Sequence, residues 1–350
     1  MRSKILYATL FALTANDVSA QAYQVQWQEQ KSGLTSSFRG LCAVNEKIVW
    51  VSGTRGSYAR TLNGGQTWAA DSVAGAAHLD FRDVEAFDAK RAYLMSAGPG
   101  ELSRIYKTLD GGKSWQLQHQ NKIPEGFFNG MAFWGENNGV VIGDPVNGRL
   151  FILLTSDGGA TWQQLANAPE VVAGEYGFAA SGTGVTVYGK HQLWIATGGA
   201  MARVFYTRDR GKTWRVSDTP LVSGNQSSGI FSIAFRDEKH GVIAGGDYQK
   251  PDEARGNVAF TNDGGKTWRL LKNPEAVGFL SCVAYVPQKS FSLLAVGTSG
   301  SYFSTDNGQS WNKFSAEGYH TLSFAQSTSS GWAAGADGRI AKCIIMPNDK

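Results

Sequence analysis

The chain has 350 residues, 42% of them hydrophobic and only 18% charged, with a net charge of +4; it can bury a large core and has no charge excess that would call for nucleic acid. Gly is abundant at 43, Pro is scarce at 9 and aromatics reach 12%. Beyond the N-terminus no apolar spacing of helical period is sustained, which argues against a helical protein and predicts an all-β one.

Residues 1–22 open with Arg2 and Lys4, continue through an apolar run from Ile5 to Ala15, and end on the small residues Ala20 and Ala22. That order is the layout of a secretory signal peptide, and the run is too short to span a bilayer. The expectation is export, to the periplasm or the outside. No Cys follows the run, so a lipid anchor is not indicated. Cys42, Cys282 and Cys343 show no metal spacing and read as separate buried thiols in strands; their odd count leaves pairing open.

Residues 23–345 read as one domain of seven repeats, and 346–350 as a short C-terminal tail. Each repeat runs through an aromatic-rich strand (SFRGLCAV, DFRDVEAF and FFNGMAFW in the first three) and a second strand running into Gly (IVWVSG, AYLMSAG, GVVIGD). A loop, a third strand and an eight-residue phrase ending in Trp follow. The phrase occurs six times: TLNGGQTW (61–68), TLDGGKSW (108–115), TSDGGATW (155–162), TRDRGKTW (207–214), TNDGGKTW (261–268) and STDNGQSW (304–311). Its closing residues, Trp68, Trp115, Trp162, Trp214, Trp268 and Trp311, fall 43 to 54 residues apart, the period of a propeller blade. Four antiparallel strands per repeat predict a seven-bladed β-propeller. In the fourth repeat EYGFAASGTG (175–184) replaces the aromatic first strand; its small residues suit either close packing between blades or close approach of a ligand to the channel. The seventh repeat, GWAAGADGRIAKCII (331–345), stops after its third strand. YQVQWQEQ (23–30), with Trp27, is expected to supply the missing strand and close the ring.

The third residue of the phrase is Asp110, Asp157, Asp209, Asp263 or Asp306, and Asn63 in the first copy. Either type accepts hydrogen bonds from backbone N–H groups in a tight turn. The fifth is always Gly, as expected where φ is positive or a Cβ has no room. One carboxylate per turn, on separate blades, cannot gather the roughly six to eight oxygens of a calcium site. The phrase therefore reads as a structural turn whose Trp packs against the next sheet.

The phrase resembles the Asp box, or BNR repeat, S/T-x-D-x-G-x-T/S-W. Asp boxes occur in sialidases, xyloglucan-cleaving hydrolases, sortilin-type receptors and the photosystem II stability/assembly factor family. Seven blades in one domain behind an export signal resemble the last of these most. The resemblance implies a binding scaffold with an arginine-bearing face for a partner polypeptide.

The rim opposite the phrase carries the loops between second and third strands. Six of those seven loops hold an arginine at or near their end, Arg60, Arg104, Arg149, Arg203, Arg255 and Arg339, and the first adds Arg55. The starts of first strands contribute Arg39 and Arg82. The candidate binding face comprises Arg39, Arg82, Arg104, Arg149, Arg203 and Arg255 with Asp144, Asp247 and Tyr248, the last two in the long loop Gly245 to Asn257. A guanidinium fork suits carboxylates and phosphates, and each Arg taken singly also suits a local ion pair at a strand edge. The expected partner is a protein or peptide, a membrane-protein segment included. The alternative is a glycan-active hydrolase, sialidase-like or xyloglucanase-like, or a carbohydrate-binding propeller.

A glycosidase needs two carboxylates at a set separation. Asp83, Glu85, Asp144, Glu175 and Asp247 all map to this rim, and nothing singles out a pair. Tyr176 beside Glu175 does not make a sialidase pair, because neighbours on an extended strand point to opposite faces. No serine–histidine–acid order, metal-ligand cluster or nucleotide-binding glycine loop stands out. No catalytic residue, metal or cofactor is expected, and no further segment is apolar enough to cross a membrane.

Overall fold

A computed structural model describes residues 23–271, 277–289 and 291–347, so the expected signal peptide lies outside the described residues. Seven antiparallel sheets form the blades of a propeller, each numbered here from its innermost strand 1 to its outermost strand 4. Blade 1 consists of Phe38–Ala43, Val49–Gly53, Ser57–Thr61 and Ala69–Ser72. Its burial falls outward, from a second strand buried at every position to a fourth exposed at every position. Valine and tryptophan fill that second strand because both of its faces meet neighbouring blades. The cores accordingly lie between blades: Trp50 and Tyr58 of blade 1 pack with Phe81, Leu94 and Tyr106 of blade 2.

The repeated phrase links strands 3 and 4. In TLDGGKSW the Thr108 hydroxyl donates to Asp110 Oδ1 at 2.9 Å and accepts the Gly112 N–H at 2.9 Å. Asp110 also accepts the Ser114 N–H and hydroxyl, at 3.0 and 2.6 Å. These bonds hold its carboxyl down at about 2. Asn63 keeps the backbone bonds and reverses one other, its Nδ2 donating to Thr67 Oγ1 at 2.9 Å. The fifth-position glycines have φ of 77 to 90°, and a Cβ on Gly112 would stand 2.7 Å from the Tyr58 ring. The fourth position is also left-handed, at 56° for Arg210 and 61° for Asn307, a requirement the sequence did not announce because two of six copies are not Gly. The phrase Trp packs on the preceding blade rather than the next: Trp115 lies edge-on to Trp50 and Tyr58, 6.2 and 5.1 Å between centroids.

The ring closes through its two ends. Tyr23–Lys31 pairs antiparallel with Arg339–Pro347 over nine residues, as strand 4 of blade 7. The last strand thus runs to Pro347, two residues past the boundary expected at 345. Trp27 Nε1 donates to Ser301 Oγ of blade 6 at 2.9 Å, and Gln30 bonds Gly64 O and Trp68 Nε1 in blade 1 at 3.1 and 3.3 Å. Cys42, Cys282 and Cys343 are separate free thiols in strands. Deleting residues 23–30 strips blade 7 of its outer strand and both seams of these contacts. The truncated protein is expected to melt roughly 10 °C or more below the full-length one; an unchanged midpoint in thermal denaturation would contradict closure by this strand.

Candidate binding face

Strand 1 of blades 1, 2, 3 and 5 carries a register shift near its start, at Phe38/Gly40, Phe81/Asp83, Phe128/Gly130 and Ile230/Ser232. The residue at each bulge is Arg39, Arg82, Asn129 or Phe231. A bulge leaves its extra residue out of the ladder and re-aims the side chain. These four side chains therefore collect where the channel opens on the rim opposite the Asp boxes.

Blade 4 fills that opening. Its first strand is Val185–Tyr188, so EYGFAASGTG is not a strand 1 but the segment leading into it. Glu175 and Tyr176 pair with Gly199 and Gly198, which tie them to blade 5. Phe178 then stacks on Phe231 of blade 5 at 3.8 Å. The carbonyls of Ala179 and Ala180 accept Nη1 of Arg82 and Arg39, at 3.1 and 3.3 Å. Ser181 donates to the Ser281 carbonyl of blade 6 at 2.9 Å and accepts Thr321 Oγ1 of blade 7 at 3.2 Å. Gly182 has φ of 75°, and a Cβ there would run into the Asp83 carboxylate. Thr183 meets Ser232 Oγ of blade 5 at 2.8 Å and Cys282 Sγ of blade 6 at 3.5 Å. With the Gly177 N–H on Asp144 of blade 3, one stretch touches six other blades, which only a segment on the axis can do. Residues 179–184 are all small, and at Gly182 the Asp83 carboxylate leaves no room for a Cβ; of the two sequence readings close packing is the one the contacts support.

The mouth above this plug is charged and partly desolvated. Burial, and next the neighbouring Arg82, depress Arg39 below the usual guanidinium range. Arg82 Nε pairs with Asp80 Oδ2 at 2.8 Å, and its side chain is 30% exposed. His320 bonds the Phe38 carbonyl at 3.0 Å through Nδ1. Burial, and next Arg39, push it down to about 4, so it is neutral at physiological pH. Asp144 accepts Asn129 Nδ2 at 2.8 Å and the Gly177 N–H at 3.3 Å, and burial raises its carboxyl. The other oxygens of this cluster, Asp80 Oδ1 and Asn129 Oδ1, are buried without a partner among the described residues. An aromatic row, Tyr176, Phe178, Phe231 and Tyr248, borders the mouth on the blade 5 side, and Tyr248 is 48% exposed.

The remaining sequence candidates separate. Arg60 is the fourth residue of Ser57–Thr61, directly before a phrase, so it lies on the Asp-box rim, against the Ala89 carbonyl and over Trp50; placing it on the opposite rim was an error of one strand length. Arg104, Arg149, Arg203 and Arg339 begin third strands, away from the axis. Arg104 bonds the Glu101 carbonyl at 2.7 Å, Arg149 pairs with Glu170 at 2.5 Å and Arg339 with Glu317 at 3.3 Å. Arg203 grips the buried Glu175 at the foot of the plug. Asp247 caps its own loop, accepting the Gln249 N–H at 3.0 Å, and Arg255 is exposed on the same long loop. Arg39 and Arg82 meet the plug at Ala180 and Ala179 and Asp144 meets it at Gly177, with Tyr248 on the border of the mouth. Asp80, Asn129 and His320 were missed; only the bulge register and the plug bring them in.

Asp83 and Glu85 face the channel below. Asp83 accepts the N–H of Met131 at 2.7 Å and of Val84 at 2.8 Å, is 5% exposed, and is raised to about 7 by burial. Glu85 is raised by burial and next by Asp83.

The fold and the six phrases define the chain as a seven-bladed Asp-box propeller, and residues 302–313 match the BNR/Asp-box repeat family. Its likeness is to Ycf48. The photosystem II assembly lipoprotein Ycf48 of Nostoc sp. (strain PCC 7120) is 25% identical over 197 residues, 55% of this chain; the match spans about half (49%) of that curated relative. A structure of YCF48 bound to D1 peptide superposes with a TM-score of 0.61 at 17% identity, covering 95% of this chain and 99% of that one. YCF48 from Cyanidioschyzon merolae gives 0.59 at 18%, over 90% and 98%. The GH74 xyloglucanase of Xanthomonas campestris gives 0.64 at 15%, over 90% of this chain and 53% of its own.

A carboxyl whose folded pKa lies above its unfolded value of about 4 holds its proton more tightly when folded, so its contribution to stability declines as pH rises from about 4 to about 7. Asp83→Asn removes that decline. In urea titrations the stability of wild type relative to Asp83→Asn is expected to fall across this window; a pH-independent difference would contradict the burial of an ionisable Asp83 beside the plug.

Proposed function

We propose that this chain is an exported scaffold that binds a protein or peptide on the plugged rim, with Arg39 and Arg82 receiving a carboxylate of the partner. The observation that carries this reading is the pair itself. Two guanidinium groups lie close enough to depress one of them, both rest on carbonyls of the plug, and Asp80 is their one ion-pair partner among the described residues. Most of their N–H donors remain for an incoming anion, and a forked guanidinium binds a carboxylate bidentately. Tyr248 offers an exposed ring at the border of the mouth. The likeness to a propeller bound to D1 peptide supports a peptide partner. The lipoprotein relative and the layout of residues 1–22 support export. No helix among the described residues is long and apolar enough to cross a membrane.

The carbohydrate reading draws on the xyloglucanase likeness in fold. Against it, Asp83 is spent on backbone N–H groups beneath the plug, and Asp144 is bonded to Asn129 and Gly177. A glycan on this rim meets arginines and backbone before it meets a carboxylate pair.

Affinity capture from the exported fraction, with wild type and an Arg39→Ala/Arg82→Ala variant, tests the reading. Binding of the captured partner is expected to weaken at least tenfold in the variant, about 1.4 kcal/mol or more, with little change after Arg104→Ala/Arg149→Ala. Identical partner lists and affinities for all three proteins would overturn it, as would turnover of an aryl glycoside lost in Glu85→Gln.

A further inference from the structure

The Asp-box rim carries a cleft that the peptide-binding reading does not use. It has a volume of about 410 Å³ and lies at the seam of blades 4 and 5, lined by Tyr206, Arg215, Val216, Ser217, Gly265 and Lys266. Its walls come from two blades: Arg215, Val216 and Ser217 from the fourth strand of blade 4, Gly265 and Lys266 from the phrase of blade 5. Ser217 Oγ donates to the Gly265 carbonyl at 2.6 Å and ties the walls together. The Lys266 N–H is fixed on Asp263 Oδ1 at 3.0 Å, so the backbone is held, and the exposed residue lines the cleft.

Two cations therefore line one cleft. Arg215 and Lys266 are both exposed, and neither belongs to an ion pair among the described residues. The phrase carboxylates on either side keep their charge but are held in their own turns, outside any ion pair with Arg215 or Lys266: Asp209 takes the Thr213 N–H and hydroxyl at 2.9 and 2.6 Å, and Asp263 takes those of Thr267 at 3.0 and 2.7 Å. Arg208 Nε donates to the Tyr206 hydroxyl at 2.5 Å and so fixes the Tyr206 side chain that lines the cleft. The repeat supplies its own control. At the flanking seams the same two positions hold Gln163 with Lys212 and Arg269 with Gln309, one cation each.

We propose that this cleft is a binding site for a phosphate ester. Arg215 presents a fork that matches two phosphate oxygens, Lys266 a point charge on a third, and Val216, 43% exposed, an apolar wall for the carbon side of the ester. The volume exceeds that of a bare phosphate and falls within the range of small-molecule sites. The ester is either a soluble phosphorylated metabolite or the headgroup of an anionic phospholipid.

Two probes distinguish these sources: glycerol 3-phosphate by calorimetric titration, and sedimentation with phosphatidylglycerol vesicles against phosphatidylcholine vesicles. Wild type is expected to bind one probe, at least tenfold more tightly than Arg215→Gln/Lys266→Gln, with an unchanged melting midpoint in that variant. Arg39→Ala/Arg82→Ala is expected to bind like wild type, which separates this site from the opposite rim. Binding of glycerol 3-phosphate assigns a soluble ligand, and binding of phosphatidylglycerol vesicles alone assigns a membrane surface. No binding of either probe, or equal binding by the Arg215→Gln/Lys266→Gln variant, would overturn the proposal.

Discussion

Seven blades around an axis leave a hole, and the way that hole is filled governs the rest of this molecule. Innermost strands turn polar and small residues toward the axis, and an open channel would leave plug-facing groups such as Asp83, Ser232 and Thr321 against water. Here the approach to blade 4 crosses the axis and satisfies several of them with its own backbone and hydroxyls. Six other blades are tied to one stretch, so the plug works as a hub as well as a seal. It also sets the floor on which Arg39 and Arg82 rest.

The outer geometry depends on a different economy. Each Asp box directs its carboxylate or amide into its own turn and fixes it there. What the turn supplies is a rigid corner carrying a left-handed glycine against the preceding blade and a Trp beneath it. At the seam of blades 6 and 7, where no phrase exists, Trp27 of the N-terminal strand does the equivalent work by donating to Ser301, while Gln30 ties the same strand to Gly64 and Trp68 of the first phrase. Turns of this kind keep the seams regular, and a regular seam makes the two-cation cleft between blades 4 and 5 stand out.

Blade number, ring closure and the turn chemistry were legible because they repeat. Six copies of a phrase reveal what each position needs, and a seventh unit without one points to the chain's other end. The mouth was less legible. Arg39 and Arg82 stood out as arginines at strand starts, yet what unites them is a bulge, which alternation in sequence does not show. The plug is a single, non-repeating run whose bonds all reach residues distant in the chain, so EYGFAASGTG looked only like a departure. Arg60 shows the opposite failure: loop boundaries drawn one strand too long carried it to the wrong rim. Arg149 and Arg203 read in sequence as rim arginines like Arg82, yet they begin third strands away from the axis and pair with Glu170 and Glu175.

The proposed function places the partner segment on the rim above the filled channel. A crystal structure of the propeller with its captured partner segment tests it most directly. The account predicts the segment lying across Ala179 and Ala180, a carboxylate on Arg39 and Arg82, and residues 178–184 still on the axis. A segment threaded through the channel with the plug displaced, or seated on the Asp-box rim, would contradict it.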